Sequence, residues 1–143
     1  MDRRSLLLSG VALAGAAMVG SAQAMDHAHH HDAPVNAGLA TATADCVQKG
    51  QACLSHCLEL LGQGDKDMAA CAQSVNQMLA LCSALQSLVN QNSKLVKNLA
   101  AVALTACEQC QEQCKKHADK HAACKACGES CAACAKECKK LLA

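Results

Sequence analysis

From Thr41 to the end of the chain, apolar and thiol-bearing positions recur every three or four residues, with polar positions between them. That is the period of a helix with one face turned toward a core. Ala, Leu, Gln and Lys dominate the stretch and no Pro interrupts it, so helix propensity agrees with the period. Three breaks divide it. Gly62-Gln63-Gly64-Asp65 supplies a terminating glycine and a capping aspartate, Asn90-Gln91-Asn92-Ser93 ends in a capping serine, and His117-Ala118-Asp119-Lys120 offers a second capping aspartate. The pattern therefore predicts helices at 41–62, 66–89, 94–117 and 120–142. Short connections force neighbours to run antiparallel. The expected fold is all-α: an antiparallel up-down-up-down four-helix bundle over residues 41–143.

The residues ahead of the bundle read differently. Arg3 and Arg4 open the chain, an apolar stretch follows from Leu6 to Val19, and Ala22-Gln23-Ala24 forms a small-residue cleavage site. Residues 1–24 are expected to be an export signal, and Arg3-Arg4-Ser5-Leu6-Leu7-Leu8 resembles the twin-arginine type. The stretch is short and rich in Gly and Ala, so no stable membrane insertion is expected after cleavage, and the expected location is periplasmic. Residues 25–40, with His27, His29, His30, His31, Pro34 and Gly38, read as a flexible Met/His-rich tail. Cleavage after Ala24 would expose Met25-Asp26-His27. The amine, two backbone amides and the His27 imidazole could then hold Cu(II) in a plane of four nitrogens.

Composition narrows the function. The 143 residues include no Phe, Tyr or Trp, which removes base-stacking platforms and aromatic cages. Arg3, Arg4 and Asp2 all lie in the signal, so the rest of the chain is neutral and offers no electrostatic case for nucleic acid. Thirteen residues are Cys, an odd number that excludes complete intramolecular disulfide pairing.

The cysteines follow the helical period. Cys46, Cys53 and Cys57 fall on the first helix, Cys71 and Cys82 on the second, and Cys107, Cys110 and Cys114 on the third. Cys124, Cys127, Cys131, Cys134 and Cys138 fall on the fourth. Gaps of 3, 4, 7 and 11 all return to nearly the same side of a helix, so each helix turns its thiols toward the core. Small apolar filling accounts for one or two buried thiols, not for four aligned stripes. Thiols at i and i+4 on a regular helix also miss disulfide geometry.

Soft thiolates select among Zn(II), iron–sulfur clusters and Cu(I). Zinc usually takes four ligands from turns, and ferredoxin clusters use a loop run ending in Cys-Pro. Neither describes an unbroken CxxCxxxC phase along helices. Cu(I) accepts two thiolates, and sulfurs that bridge two ions give a load of roughly 10–13 Cu(I) per chain. That load indicates storage, not catalysis. A thiol redox or sulfur-carrier protein using Cys124 and Cys127, or a zinc buffer, is the alternative reading.

Cys53-Leu54-Ser55-His56-Cys57, Met68-Ala69-Ala70-Cys71 and the run from Cys124 to Cys138 resemble the bacterial copper storage proteins, Cys-rich four-helix bundles that fill with Cu(I). The resemblance covers residues 44–142. It implies that His56 and Met68 bind copper at the open end, that the chain assembles as a homotetramer, and that exported members supply a copper-requiring client, the membrane methane-oxidising enzyme.

Chain direction adds two poles. His56, Met68, His117 and His121 each continue a Cys stripe and should gather where the first and third helices end. His117 and His121 are thus further candidate ligands. At the opposite pole Leu85, Leu88 and Val89, facing Leu95, Leu99 and Val102, should form a dry floor. Met78, four before Cys82, reads as core filler.

Overall fold

The computed structural model describes residues 35–143. The export-signal expectation and His27 lie outside these residues. Four long helices make up the described chain: α1 (Ala37–Gly62), α2 (Ala69–Asn90), α3 (Val96–Lys115) and α4 (Ala122–Leu142). A 3-10 turn, Lys66–Met68, leads into α2. Among the described residues there is no strand, and no helix is long and apolar enough to cross a membrane.

α1 begins four residues ahead of the sequence expectation, so Ala37–Ala40 are helical and not tail. Leu39 explains the extension: it is 3% exposed and anchors the added turn in the core. Two connections close with the same hydrogen-bonded motif. Asp65 N–H donates to Leu60 O and Gly64 N–H to Leu61 O, while Ser93 N–H donates to Leu88 O and Asn92 N–H to Val89 O. Each pair satisfies the last carbonyls of its helix through a left-handed residue, Gly64 at φ 96° and Asn92 at φ 50°. Gly is free to adopt that conformation, and Asn tolerates it through its short polar side chain.

The caps are mixed. The Asp65 carboxylate accepts from Asp67 N–H at 3.2 Å, and Ser93 Oγ accepts from Leu95 N–H at 3.2 Å. Asp119 does not cap α4, whose N-cap is His121 without a side-chain bond. That connection is closed instead by tight backbone turns, including His121 N–H to His117 O at 2.9 Å.

α1 packs on α2 and α4, and α3 packs on α2 and α4, while the diagonal pairs stay apart across the middle. The bundle is therefore square, and the space along its axis belongs to side chains. At one end the filling is aliphatic: Leu39, Leu85, Val89, Val96, Ala100 and Ala103 are all buried. The floor is where the sequence placed it, but α3 presents different residues. Leu95 and Val102 are 58% and 52% exposed and Leu99 is half-buried, so they flank the floor. Val96, Ala100 and Ala103 are in phase with Cys107, Cys110 and Cys114 at steps of 4, 3, 4, 3 and 4. Phase, not side-chain size, selects the inward face. Buried polar groups are satisfied: Thr43 Oγ1 donates to Leu39 O at 2.8 Å, and Ser130 Oγ to Cys127 O at 2.9 Å.

Candidate metal centre

All 13 cysteines are free, and each is fully buried at 0% exposure. Each helix contributes its stripe, and the stripes meet along the axis. Cys46, Cys82, Cys107 and Cys134, one from each helix, bring their sulfurs within 4.8 Å of one another. Nearer the opposite pole Cys53, Cys57, Cys71 and Cys124 form a second such group. Two triplets lie between, Cys53/Cys114/Cys127 and Cys110/Cys127/Cys131. Cys53 and Cys127 each belong to two groups, so the groups overlap. Cys46 Sγ lies 3.7 Å from Cys131 Sγ and joins the first group to the triplets. Cys138 stands outside every group, one turn beyond Cys134 on α4. The result is one continuous column of sulfur.

Protons in this column are shared among neighbours. Cys134 is held far below the ordinary thiol value by hydrogen bonds from Cys107 first, and Cys127 likewise by Cys110 first. Cys71, accepting chiefly from Cys114, is lowered from 9.0 to about 3, and Cys46, accepting chiefly from Cys107, to about 5. Burial raises Cys57 and Cys124 to about 12 and about 11. Cys46, Cys71, Cys127 and Cys134 are thus the sulfurs on which thiolate character is favoured.

These shifts predict how the metal-free chain responds to pH. Groups held low contribute stability that is full above 9.0 and is lost as pH falls toward about 5 and about 3. Groups held high contribute stability that is full below 9.0 and is lost as pH climbs through about 11 and about 12. The thiol contribution to stability therefore peaks near 9.0 in the reduced apo chain. Anaerobic urea unfolding from pH 6 to 11 should show stability falling above pH 9 for the apo chain only. A metal-filled column already holds thiolates and has no proton to lose. An identical alkaline fall in both forms would contradict this proton sharing.

At the pole where α1 and α3 end, the imidazoles collect. His56 Nε2 lies 3.0 Å from His121 Nδ1, their ring centroids are 4.8 Å apart, and the His117 ring is 6.4 Å from that of His121. All three are half-buried. Met68, at the head of α2, is fully buried. The helix directions alone placed these four at one end. One sulfur was not foreseen as part of the column: Met78 Sδ lies 3.3 Å from Cys46 Sγ. Its place on the α2 stripe, four before Cys82, was the available signal.

What such a column can do follows from its donors. Buried thiols without disulfides, packed at sulfur–sulfur distances of 3.5–4.0 Å, suit a soft cation that tolerates low coordination numbers and shared ligands. The sequence profile of the copper storage protein family matches residues 32–143. The chain belongs to that family. The family is one of copper storage proteins.

Solved structures agree with the assignment. Apo copper storage protein 3 from Bacillus subtilis is 26% identical, with a TM-score of 0.64 over 74% of this chain and 97% of that one. A Cu(I)-bound copper storage protein is 27% identical, with a TM-score of 0.66 over 73% and 95%. The copper storage protein of Streptomyces lividans, loaded with 10 copper equivalents, shares the fold at 23% identity, with a TM-score of 0.69 over 80% and 88%. No curated protein sequence matches the chain significantly.

Proposed function

We infer that this chain stores and buffers many Cu(I) ions on the thiolates of its core. The carrying observation is the overlap of the ligand groups: sulfurs shared between groups suit an ion that accepts bridging thiolates, and they leave few isolated four-ligand sites for zinc. The relative bound to Cu(I) and the one loaded with 10 copper equivalents support the same cargo. All thirteen cysteines are the proposed ligands, with His56 and Met68 at the polar end.

Entry is proposed at the imidazole pole, because the other end is closed by aliphatic side chains. Export to the periplasm, assembly into a homotetramer and delivery to a copper-requiring enzyme complete the reading. Export is supported by the sequence of residues 1–24. Self-association is carried by the family resemblance alone.

Titration of the reduced chain against competing chelators tests the cargo. The expected result is tight uptake of roughly 10–13 Cu(I) per chain. Saturation at ~3 Zn(II), four thiolates to each, with only weak Cu(I) uptake, would instead assign a zinc buffer.

A further inference from the structure

The α1 stripe has a gap. Cys46, Gly50, Cys53 and Cys57 follow one another at steps of 4, 3 and 4, so Gly50 occupies a position from which a side chain would enter the column. Gly50 is buried, and a Cβ there would lie 2.6 Å from Met78 Cε and 2.8 Å from Leu79 Cδ2. The space that residue 50 leaves open is therefore filled from the adjacent helix by the ends of the Met78 and Leu79 side chains. The α2 stripe runs Cys71, Val75, Met78, Cys82 at the same steps, and Met78 is fully buried.

Packing alone would ask only that the gap be filled, as Met commonly does. The sulfur contact asks for more. Met78 Sδ lies 3.3 Å from Cys46 Sγ, shorter than the 3.5–4.0 Å contacts between thiols in the column. Cys46 also faces Cys131 at 3.7 Å and belongs to the group with Cys82, Cys107 and Cys134. A thioether is a soft ligand that fits Cu(I) and carries no charge. Every thiolate that binds an ion adds a negative charge to a water-free interior, and a buried charge is costly. One Cu(I) shared between the Cys46 thiolate and a neutral thioether forms a neutral unit. Any thiol proton that the ion displaces leaves to solvent, and Met78 has none to give up.

We propose that Met78 is a Cu(I) ligand, its thioether sharing an ion with the Cys46 thiolate in the interior of the column. The proposal rests on the Cu(I) storage reading above. It assigns to the core a sulfur beyond the thirteen thiols, and it gives Gly50 a second role besides making room for Leu79: a side chain there would crowd the ligand.

Selenium placed at methionine positions reads this directly. The full chain carrying Met68→Leu is produced with selenomethionine, loaded with Cu(I), and measured by X-ray absorption at the selenium and copper edges. A selenium–copper shell is expected, and it should vanish when Met78→Leu is added. That exchange conserves core volume, so the fold should survive. Gly50→Ala in the Met68→Leu chain is a second route, since the added methyl crowds Met78 Cε and should weaken the same shell with every thiol retained.

A copper edge with full sulfur ligation but no selenium–copper shell would overturn the Met78 assignment and leave storage intact. So would a shell that survives Met78→Leu, because the ligand would then be another methionine. Failure to take up Cu(I) at all would instead overturn the storage reading, and the copper edge separates that case from the others.

Discussion

Filling the column with Cu(I) raises the thermal unfolding midpoint of the reduced chain by tens of degrees. The apo bundle is closed by a small aliphatic floor and by cysteines, each a small side chain with limited apolar area. An ion that binds only the folded chain stabilises it by ~2.7 kcal/mol when free metal stands about 100-fold above its dissociation constant. For a domain of this size each kcal/mol moves the midpoint by about 2–8 °C, so a few filled sites suffice. Helical circular dichroism of the apo and loaded chains, with a Cu(I) chelator to reverse the effect, measures it. An unchanged midpoint after loading would place the ions on the surface and not among ligands drawn from four helices.

Ala100→Asp should unfold most of the apo chain, whereas Val102→Asp should scarcely matter. Ala100 is 0% exposed in the floor, with Leu85 and Val89 also buried there, and among the described residues no charged side chain is buried. A buried carboxylate without a partner costs about 3–5 kcal/mol, a large part of the stability of a small domain. Val102 is 52% exposed, and substitutions at such positions usually stay within about 0.5 kcal/mol. Urea midpoints of the two reduced variants make the comparison. Equal losses at both positions would mean that α3 turns a different face inward.

That pair of positions also shows what the sequence could and could not say. The number of helices, their order and the inward stripes were all legible, because Cys recurs at steps of 3 and 4 on each helix and nothing else about the chain competes with that period. The floor was misassigned on α3 because Leu95, Leu99 and Val102 are the bulkier apolar residues there. Extending the thiol phase backward from Cys107 leads to Ala103, Ala100 and Val96, and the structure buries those three. Pro34 and Gly38 made the start of α1 read as tail, although Leu39 continues the α1 stripe into the floor. Asp119 looks like a cap by type, but the connection closes through backbone bonds around His117 and the N-cap of α4 is His121, two residues on.

The candidate ligands divide in the same way. The thiols announced themselves by spacing, and His56, His117 and His121 by chain direction, which brings residues of three different segments to one pole. Met78 gave a weaker signal. A methionine on a core stripe is ordinary, and only the missing side chain at Gly50, on another helix, shows why its end lies against Cys46. Sequence spacing reports which face a residue occupies. It does not report which gap across the bundle that residue fills.

With entry at the proposed imidazole pole, a column closed at one end and polar at the other fills and empties in a fixed order. Sulfurs shared between groups, such as Cys53 and Cys127, let an ion pass from one set of ligands to the next without leaving thiolate at any step. On that route the first ions to enter would lie deepest, toward Cys138, and the latest near Cys57, Cys71 and Cys124. The protein then works as a stack, last in and first out. The newest ions are then the first to leave, and the oldest form a reserve.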